Sequence, residues 1–212
     1  MTEAVHRSIH AGLFRDPKWL QNEDRVFARM YFNTYDNYEA GRLDQVPVAW
    51  RLAFDSAKKR EMGALGDFLM AMNAHINRDM PYMLAGTGIR NPDGTSRKPD
   101  HDVWNKPLAA LYQPVLREVA ERFDPTADDI DAGPIDNEMA FAILESWREG
   151  VWRNAERLTN ARTEQERRQV AASIEAFAAT TGRTIRTMER YPPGQDTRAR
   201  DAWCAEHGGQ QP

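Results

Sequence analysis

The chain is poor in cysteine and has no long run of apolar residues. Its 212 residues include a single cysteine, Cys204, which excludes an internal disulfide and a cysteine-rich zinc cluster. The longest apolar segments are far shorter than the ~18 residues that a membrane span requires, and no basic segment followed by an apolar one begins the chain. We therefore expect a cytoplasmic protein that has no membrane partner.

The chain also has no excess of positive charge. It carries 28 Lys and Arg against 32 Asp and Glu, a formal net charge of −4, whereas domains that bind nucleic acid present a basic surface. No glycine-rich motif for a nucleotide cofactor is present either. We therefore expect no nucleic acid and no nucleotide cofactor as partners. A small-molecule substrate is the expected partner, and a homo-oligomer is left open.

No window of the sequence shows the alternation of apolar and polar residues that is typical of a half-buried β-strand. Apolar residues instead recur at the three- and four-residue spacing of amphipathic helices, and 41% of the chain is hydrophobic, which suffices for a core. We predict an all-α fold, a single-domain bundle of six or seven helices. Residues 1–21 would form an N-terminal arm or short helix, residues 22–190 the helical bundle domain, and residues 191–212 a polar C-terminal extension.

One predicted helix, over residues 66–84, carries ionisable side chains within an apolar face. At about 100° per residue, a broad apolar stripe is formed by Leu65, Phe68, Leu69, Met72, Ile76, Met80 and Met83. Asp79 projects inside this stripe, and His75 projects at its edge. Because an isolated buried charge costs several kcal/mol, Asp79 should be paired, protonated or bound to a metal.

His75 and Asp79 are one helical turn apart, so their side chains can meet. They could form an acid–base pair, or they could bind a divalent metal such as Zn²⁺ or Fe²⁺ together with Asp67. A third alternative is a purely structural hydrogen-bonded pair. Asp67 is the weakest member of the metal set because it projects about 80° from His75 and lies roughly 12 Å along the helix axis. The sequence leaves the three alternatives open.

A long loop over residues 86–99 is rich in Gly, Pro, Asn, Asp and Ser and precedes a further predicted helix. Asp100 is the expected N-cap of that helix. His101 follows it, at a position from which a proton carrier could reach the mouth of a pocket. We therefore predict His101 as a second catalytic proton carrier.

Arg148 projects into the apolar face of the helix predicted over residues 137–158. It could form a buried salt bridge with Asp79, or it could bind a carboxylate or phosphate group of a substrate. Polar and aromatic residues in the same predicted helices complete the expected substrate-binding set, which is Arg148, Asn73, Asn105, Trp104 and Trp147.

The spacing of His75 and Asp79 resembles the His-x-x-x-Asp ligand pair of the zinc-dependent phospholipase C and S1/P1 nuclease superfamily, which is also all-helical. In that superfamily a further His and a Pro follow the Asp, and the segment Met80-Pro81-Tyr82 does not reproduce them. The resemblance implies a metal-dependent hydrolase and is limited to these two residues.

A wider resemblance covers roughly residues 20 to 160. It rests on the segments Trp50-Arg51-Leu52-Ala53-Phe54, Gly66 to Pro81 and Asp100-His101-Asp102-Val103-Trp104-Asn105. Together they resemble an uncharacterised all-helical family common in actinobacteria, whose signature is an Ala-His-Ile-Asn-x-Asp-x-Pro helix followed by an Asp-His-x-x-x-Asn segment. The resemblance names no reaction, and it implies one site that contains His75, Asp79, His101 and Asn105.

We expect an enzyme that acts on a small, fairly apolar organic substrate by general acid–base chemistry, with or without a metal. Cyclisation, isomerisation and hydrolysis are the reactions that these residues allow, and an apolar pocket suits natural-product biosynthesis. The competing hypothesis is a non-catalytic helical protein for ligand binding or assembly. In that protein the same side chains would form a closed, buried His/Asp/Arg network.

Overall fold

The structure is a computed structural model that describes residues 2–127 and 134–208. Within these ranges the chain forms ten α-helical segments and no β-strand. The segments are α1 (Thr2–His10), α2 (Pro17–Glu39), α3 (Val48–Lys59), α4 (Ala64–Asn73), α5 (Met80–Thr87), α6 (Lys98–Val103), α7 (Asn105–Arg122), α8 (Pro134–Asn160), α9 (Glu164–Glu189) and α10 (Arg198–His207). The predicted all-α fold is confirmed.

Some of these segments join end to end. A π turn, Ala74–Asp79, continues α4 into α5, and the helical backbone of Trp104 continues α6 into α7, so the described residues form eight rods. Six of the rods lie between residues 17 and 189, and α1 and α10 are the other two. The predicted bundle of six or seven helices corresponds to these six rods, and α10 lies in the segment that was interpreted as a polar extension.

The two terminal helices are attached to the rest of the fold. Arg200 of α10 donates to the Asp67 carboxylate at 2.7 Å, and the Trp203 indole donates to the carbonyl of Glu121 at 3.0 Å. At the other end, α2 begins at Pro17 rather than near residue 22. The Asp16 side chain caps α2, and proline suits the first turn of a helix because it has no N–H to leave unpaired.

Buried apolar residues form two main clusters, and the π turn lies between them. The first cluster joins α1, α2, α5 and α8 and consists of Ala4, Val5, Phe14, Trp19, Leu20, Met80, Met83, Leu84, Ile89, Trp104, Val151, Trp152 and Ala155. The second joins α3, α4 and α9 and consists of Val46, Ala49, Trp50, Ala53, Met62, Met70, Ala74 and Ala178. The π turn starts in the second cluster at Ala74 and is followed by Met80 of the first.

The π turn stands just before Pro81, which interrupts the hydrogen bonding of the helix. Proline has no N–H, so it cannot donate to the carbonyl of Asn77 one turn earlier. The backbone widens just before it, and the N–H of Met80 donates to the carbonyl of His75, five residues back. Single π turns of this kind occur frequently at functional sites.

The acidic sequence of residues 124–136 predicts a linker, and residues 128–133 of it lie outside the described residues, as do Met1 and residues 209–212. The described part of the linker is a 3₁₀ turn, Pro125–Ala127, after the buried Asp124. The Asp124 carboxylate accepts a hydrogen bond from the N–H of Ala64 at the start of α4. None of the helices in residues 2–127 and 134–208 is both long enough and apolar enough to cross a bilayer.

Candidate functional site

Asp79 is the centre of the first of two polar networks inside the fold. It ends the π turn, and its side chain is completely buried. Its Oδ2 accepts a hydrogen bond from the indole Nε1 of Trp50 on α3 at 2.8 Å. Its Oδ1 accepts one from Nη1 of Arg78 at 3.0 Å, and Arg78 also donates to Glu175 on α9 at 2.7 Å. The predicted burial of Asp79 is confirmed, and its charge is paired, as burial requires.

The third partner of Asp79 is His75, as the one-turn spacing predicted. Nδ1 of His75 lies 3.1 Å from Oδ2 of Asp79, and the His75 side chain is 25% exposed. Because a carboxylate only accepts hydrogen bonds, the neutral imidazole carries its proton on Nδ1 and leaves Nε2 as an acceptor. Among the described residues Nε2 has no hydrogen-bond partner. We call this pair the His75–Asp79 dyad.

Aromatic rings surround the imidazole. Phe27 stacks on one face of His75, with 3.5 Å between the ring centroids and 5° between the planes. The rings of Trp50 and Tyr31 follow at 5.7 and 6.2 Å. Further rings continue outward between α2 and α3 to Tyr35, which is 42% exposed. We call this surface the aromatic face, and it consists of Phe27, Tyr31, Tyr35, Trp50 and Phe54.

The aromatic face carries a hydroxyl group at Tyr31. Burial raises the pKa of this phenol, and the neighbouring Tyr35 raises it further. Tyr31 therefore keeps its proton at neutral pH and can act as a hydrogen-bond donor.

Asp67, the third member of the predicted metal set, lies apart from the dyad. Its Oδ2 accepts a hydrogen bond from Arg200, while burial raises the pKa of its carboxyl against the lowering effect of that arginine. Among the described residues, no group of three or more His, Cys, Asp or Glu side chains is placed to hold one metal ion. The structure therefore does not bring Asp67 together with His75 and Asp79.

Arg148 of α8 is the centre of the second network. It is 4% exposed, its Nε donates to Oδ1 of Asn105 at 2.6 Å, and its Nη2 donates to the carbonyl of His101. Its Nη1 faces the sulfur of Met80 at 3.8 Å. The predicted salt bridge between Asp79 and Arg148 is wrong. Arg78, the neighbour of Asp79 in the chain, takes that place, and Arg148 is directed at the junction of α6 and α7.

His101 belongs to the second network and not to the dyad. It is 4% exposed, its Nε2 lies 3.3 Å from the carbonyl of Arg148, and its ring lies 5.2 Å from that of Trp152. Burial lowers the pKa of His101 well below its usual value, and the charge of Arg148 lowers it further, so the ring is neutral. The role of His101 as a second proton carrier stays a prediction.

The structure separates the residues that were expected to bind substrate. Asn105 lies beside Arg148, whereas Asn73 is fully buried and donates to the carbonyl of Ala178 on α9 at 2.9 Å. Trp104 is buried against Phe14, and Trp147 is half-buried on α8. Their roles in substrate binding stay predictions, and Asn73 and Trp104 are packed within the fold rather than beside the aromatic face.

Sequence reasoning missed Glu23 and mistook the role of Asp100. Glu23 is 6% exposed on α2, and burial raises its pKa to about 8, against the lowering effects of Arg148 and Arg97. Its position on the apolar face, three residues after Leu20, could have signalled this.

Asp100 does not cap its own helix, because its carboxylate accepts from the N–H groups of Arg15 and Asp16 at 2.9 and 2.7 Å.

The Arg148 network occupies the region between α5, α7 and α8. Two cavities, of about 300 and 370 Å³, lie elsewhere. The first is between α4, α7 and α10 and is lined by Ala64, Asp67, Val119, Phe123, Arg200, Asp201 and Cys204. The second is at the turn between α8 and α9 and is lined by Arg157, Asn160, Ala161, Arg162, Glu166 and Val170.

No curated protein and no solved structure matches this chain. A family model does match it over residues 1–188, and its description, a family of unknown function, confirms the expectation of an uncharacterised family. The signature motifs and the similarity to phospholipase C stay predictions. Because the match covers most of the chain, including the dyad and the Arg148 network, the protein belongs to the family of unknown function DUF5995.

Proposed function

We propose that the protein is an enzyme in which His75 acts as a general base and then as a general acid on a small, largely apolar substrate. The observation that carries the proposal is the position of the imidazole. Its Nδ1 is held by the buried carboxylate of Asp79, its side chain is 25% exposed, and it borders the aromatic face. A carboxylate behind an accessible imidazole is the arrangement that orients general bases in many enzymes.

Each partner in the dyad has a distinct task in this proposal. Asp79 selects the tautomer of His75 and stabilises the imidazolium that forms when Nε2 accepts a proton. Trp50 and Arg78 hold the carboxylate in place from two sides, at 2.8 and 3.0 Å. This positioning costs little at the moment of reaction because the groups are already in place in the free protein.

The surroundings of His75 define the substrate class. Phe27 covers one face of the imidazole, so a substrate reaches Nε2 along the ring edge and packs against the remaining rings. Stacked and edge-on contacts favour a planar or apolar molecule with few polar groups. Hydrolysis, isomerisation and cyclisation can each use a single proton carrier of this kind. We propose a metal-free reaction, because the dyad offers only one imidazole and one carboxylate as metal ligands. Natural-product biosynthesis stays the proposed setting.

The proposal is tested with a panel of aryl esters, lactones and enolisable ketones. Replacing His75 with Gln should lower the rate on any substrate that the protein accepts by about 10²-fold or more, the usual contribution of general acid–base catalysis. His207→Gln is the matched control. His207 also stacks on an aromatic ring, the indole of Trp203, with 3.9 Å between centroids, but its Nδ1 faces the carbonyl of Trp203 instead of a carboxylate. Equal rates for the wild type and His75→Gln would overturn the proposal.

The second candidate is the non-catalytic binding or assembly protein. The observation that favours it is the set of links through Asp79 and Arg78, which tie α3, the π turn and α9 together. In this case His75→Gln lowers the melting temperature, and the wild type is no more active on the panel than His75→Gln. A His75→Gln variant that melts normally but loses activity supports the enzyme instead.

A further inference from the structure

The cavity between α4, α7 and α10 has both apolar and charged residues in its lining. The apolar residues are Ala64, Val119 and Phe123, and the charged residues are Asp67, Arg200 and Asp201. The volume of about 300 Å³ is at the lower end of the range for pockets that bind small molecules. We call this space the α10 cavity. Its mixed lining suits a small molecule that has an apolar body and one polar end.

Hydrogen bonds between α10 and the rest of the fold hold the charged part of the lining in place. Nη1 of Arg200 donates to Oδ2 of Asp67 at 2.7 Å and to the carbonyl of Met62 at 2.9 Å. Oδ2 of Asp201 accepts from Arg60 at 2.8 Å. A ligand therefore meets side chains that are already oriented, which lowers the entropic cost of binding.

The second carboxylate oxygen of Asp67 lacks a donor. This atom, Oδ1, is buried and has no hydrogen-bond partner in the part of the chain that the structure describes. Nη1 of Arg200 is already shared between Oδ2 and the carbonyl of Met62. Because a buried acceptor without a donor costs free energy, a ligand that brings a donor to Oδ1 gains from pairing with it.

The charges around the cavity favour a donor that is also a cation. Asp67 and Asp201 line the cavity together with Arg200, and a third carboxylate, that of Asp124, accepts from the N–H of Ala64 at 2.9 Å. Arg60 pairs with Asp201 from outside, and its side chain is 66% exposed, so water screens its charge. The three carboxylates therefore outweigh the one partly buried guanidinium.

We propose that the α10 cavity binds a small primary ammonium compound with an apolar body. The ammonium group donates to Oδ1 of Asp67, and the body packs against Val119 and Phe123. The site is separate from the His75–Asp79 dyad, and its tests do not depend on the proposed enzymatic activity.

The first test uses the single cysteine of the chain, because Cys204 lines the α10 cavity. The rate at which Cys204 reacts with dithiodipyridine, an uncharged disulfide, is measured on the full-length protein at constant ionic strength. Phenethylamine at 10 mM should slow the reaction about tenfold, which is the protection given by a ligand with a dissociation constant of about 1 mM. Methylamine at the same concentration has the ammonium group without the body and should leave the rate unchanged.

Two relatives of phenethylamine test the recognition of charge. Phenethyl alcohol has the same body and an uncharged donor, so it should protect Cys204 less than phenethylamine does. Phenylpropionate is an anion and should not protect it. Protection by phenylpropionate that equals or exceeds protection by phenethylamine would show that Arg200 selects an anion, and the proposal would be wrong. Equal rates with and without phenethylamine would also refute it.

The second test removes the carboxylate. Asp67→Asn keeps the shape of the side chain but not its charge, so phenethylamine should no longer protect Cys204. Asp55→Asn is the matched control, because the Asp55 carboxylate accepts from Tyr38 at an exposed position and does not line the cavity. Protection of Asp67→Asn to the same degree as the wild type would contradict the proposed site.

Val119→Phe keeps the proposal testable even if Asp67→Asn loosens α10. Val119 is half-buried, so the larger side chain extends into the cavity while every charged residue stays in place. The ratio of the Cys204 reaction rates with and without phenethylamine should return to one, at an unchanged melting temperature. A Val119→Phe protein in which phenethylamine still protects Cys204 fully would rule out binding in the α10 cavity.

Discussion

The two polar networks bury charges of opposite sign and solve the problem of burial differently. In the dyad, the Asp79 carboxylate has partners from Trp50, Arg78 and His75, and one of those partners is a quarter exposed. In the second network, Arg148 is held by neutral oxygens and has no carboxylate partner among the described residues. The first network therefore connects its buried charge, Asp79, to a partly exposed side chain. The second network keeps its buried charge, Arg148, within the core.

This difference shows why burial alone does not identify a reactive site. His101 and Arg148 are as deeply buried as Asp79, and a burial criterion would treat all three alike. Of these three side chains, Asp79 alone contacts a ring nitrogen-bearing partner, His75, whose Nε2 has no hydrogen-bond partner among the described residues and which borders the aromatic face. We therefore place the proposed chemistry at His75 and not in the Arg148 network, and the following predictions test that division.

The largest expected effect is the pH dependence that Glu23 confers on stability. Its pKa in the folded protein is raised from 4.5 to about 8, so folding favours the protonated form. Protonated Glu23 therefore contributes about 4 to 5 kcal/mol to the free energy of unfolding. This contribution is fully present below pH 4.5 and is lost as the pH rises through 8.

Urea unfolding of the wild type and Glu23→Gln at pH 5, 7 and 9 measures this contribution. The free energy of unfolding of Glu23→Gln minus that of the wild type should increase by about 1.4 kcal/mol per pH unit up to pH 8 and then stay constant. Parallel curves for the two proteins would show that Glu23 is not protonated in the sealed network.

The next effect is the loss of the Asp79 carboxylate. Asp79→Ala leaves the indole N–H of Trp50 without its acceptor and leaves Arg78 with Glu175 alone, and breaking a buried ion pair in this way costs about 3–5 kcal/mol. Asp55→Ala is the control, because its carboxylate accepts from Tyr38 at an exposed position, and it should cost about 1 kcal/mol or less. Similar losses in urea unfolding would mean that the dyad is not the tightly bonded network described above.

A smaller effect is expected for the indole of Trp50. Trp50→Phe keeps most of the ring in the second apolar cluster but removes the N–H that donates to Asp79, which should cost about 1.5–3 kcal/mol for a bond to a charged group. Activity on an accepted substrate should fall less than in His75→Gln, because Arg78 still holds the carboxylate. A Trp50→Phe protein that is as inactive as His75→Gln would show that the indole itself takes part in the reaction.

The least perturbing experiment leaves the sequence unchanged. Diethyl pyrocarbonate modifies neutral, accessible imidazoles, so His75 should react in the native protein and His101 only after unfolding. Peptide mass spectrometry at short reaction times gives the two rates, and His207 serves as a partly exposed reference. Equal protection of His75 and His101 would remove the distinction between an open and a sealed network.

Several features of the fold could be predicted from local sequence alone. The start of α9 at Glu164 is such a local property, because Thr163 and Glu166 form a capping box there. Helical projection predicted the burial of Asp79 and the position of His75 at the edge of the apolar face. The prediction holds because the two side chains remain in contact across one turn even though the segment is a π turn. These are short-range properties, and the residues concerned lie within a few positions of one another.

The sequence by itself determined an all-α fold, most of its helices, and a His–Asp pair at the edge of an apolar face. Only the tertiary structure decided that Asp79 is bonded to Trp50 and Arg78 rather than to Arg148, and that His101 lies in a separate network. Helical spacing predicts which side of its own helix a residue occupies. The partner on another helix depends on how the rods cross and rotate when their apolar faces pack together, and those angles are set by the packing of the whole bundle.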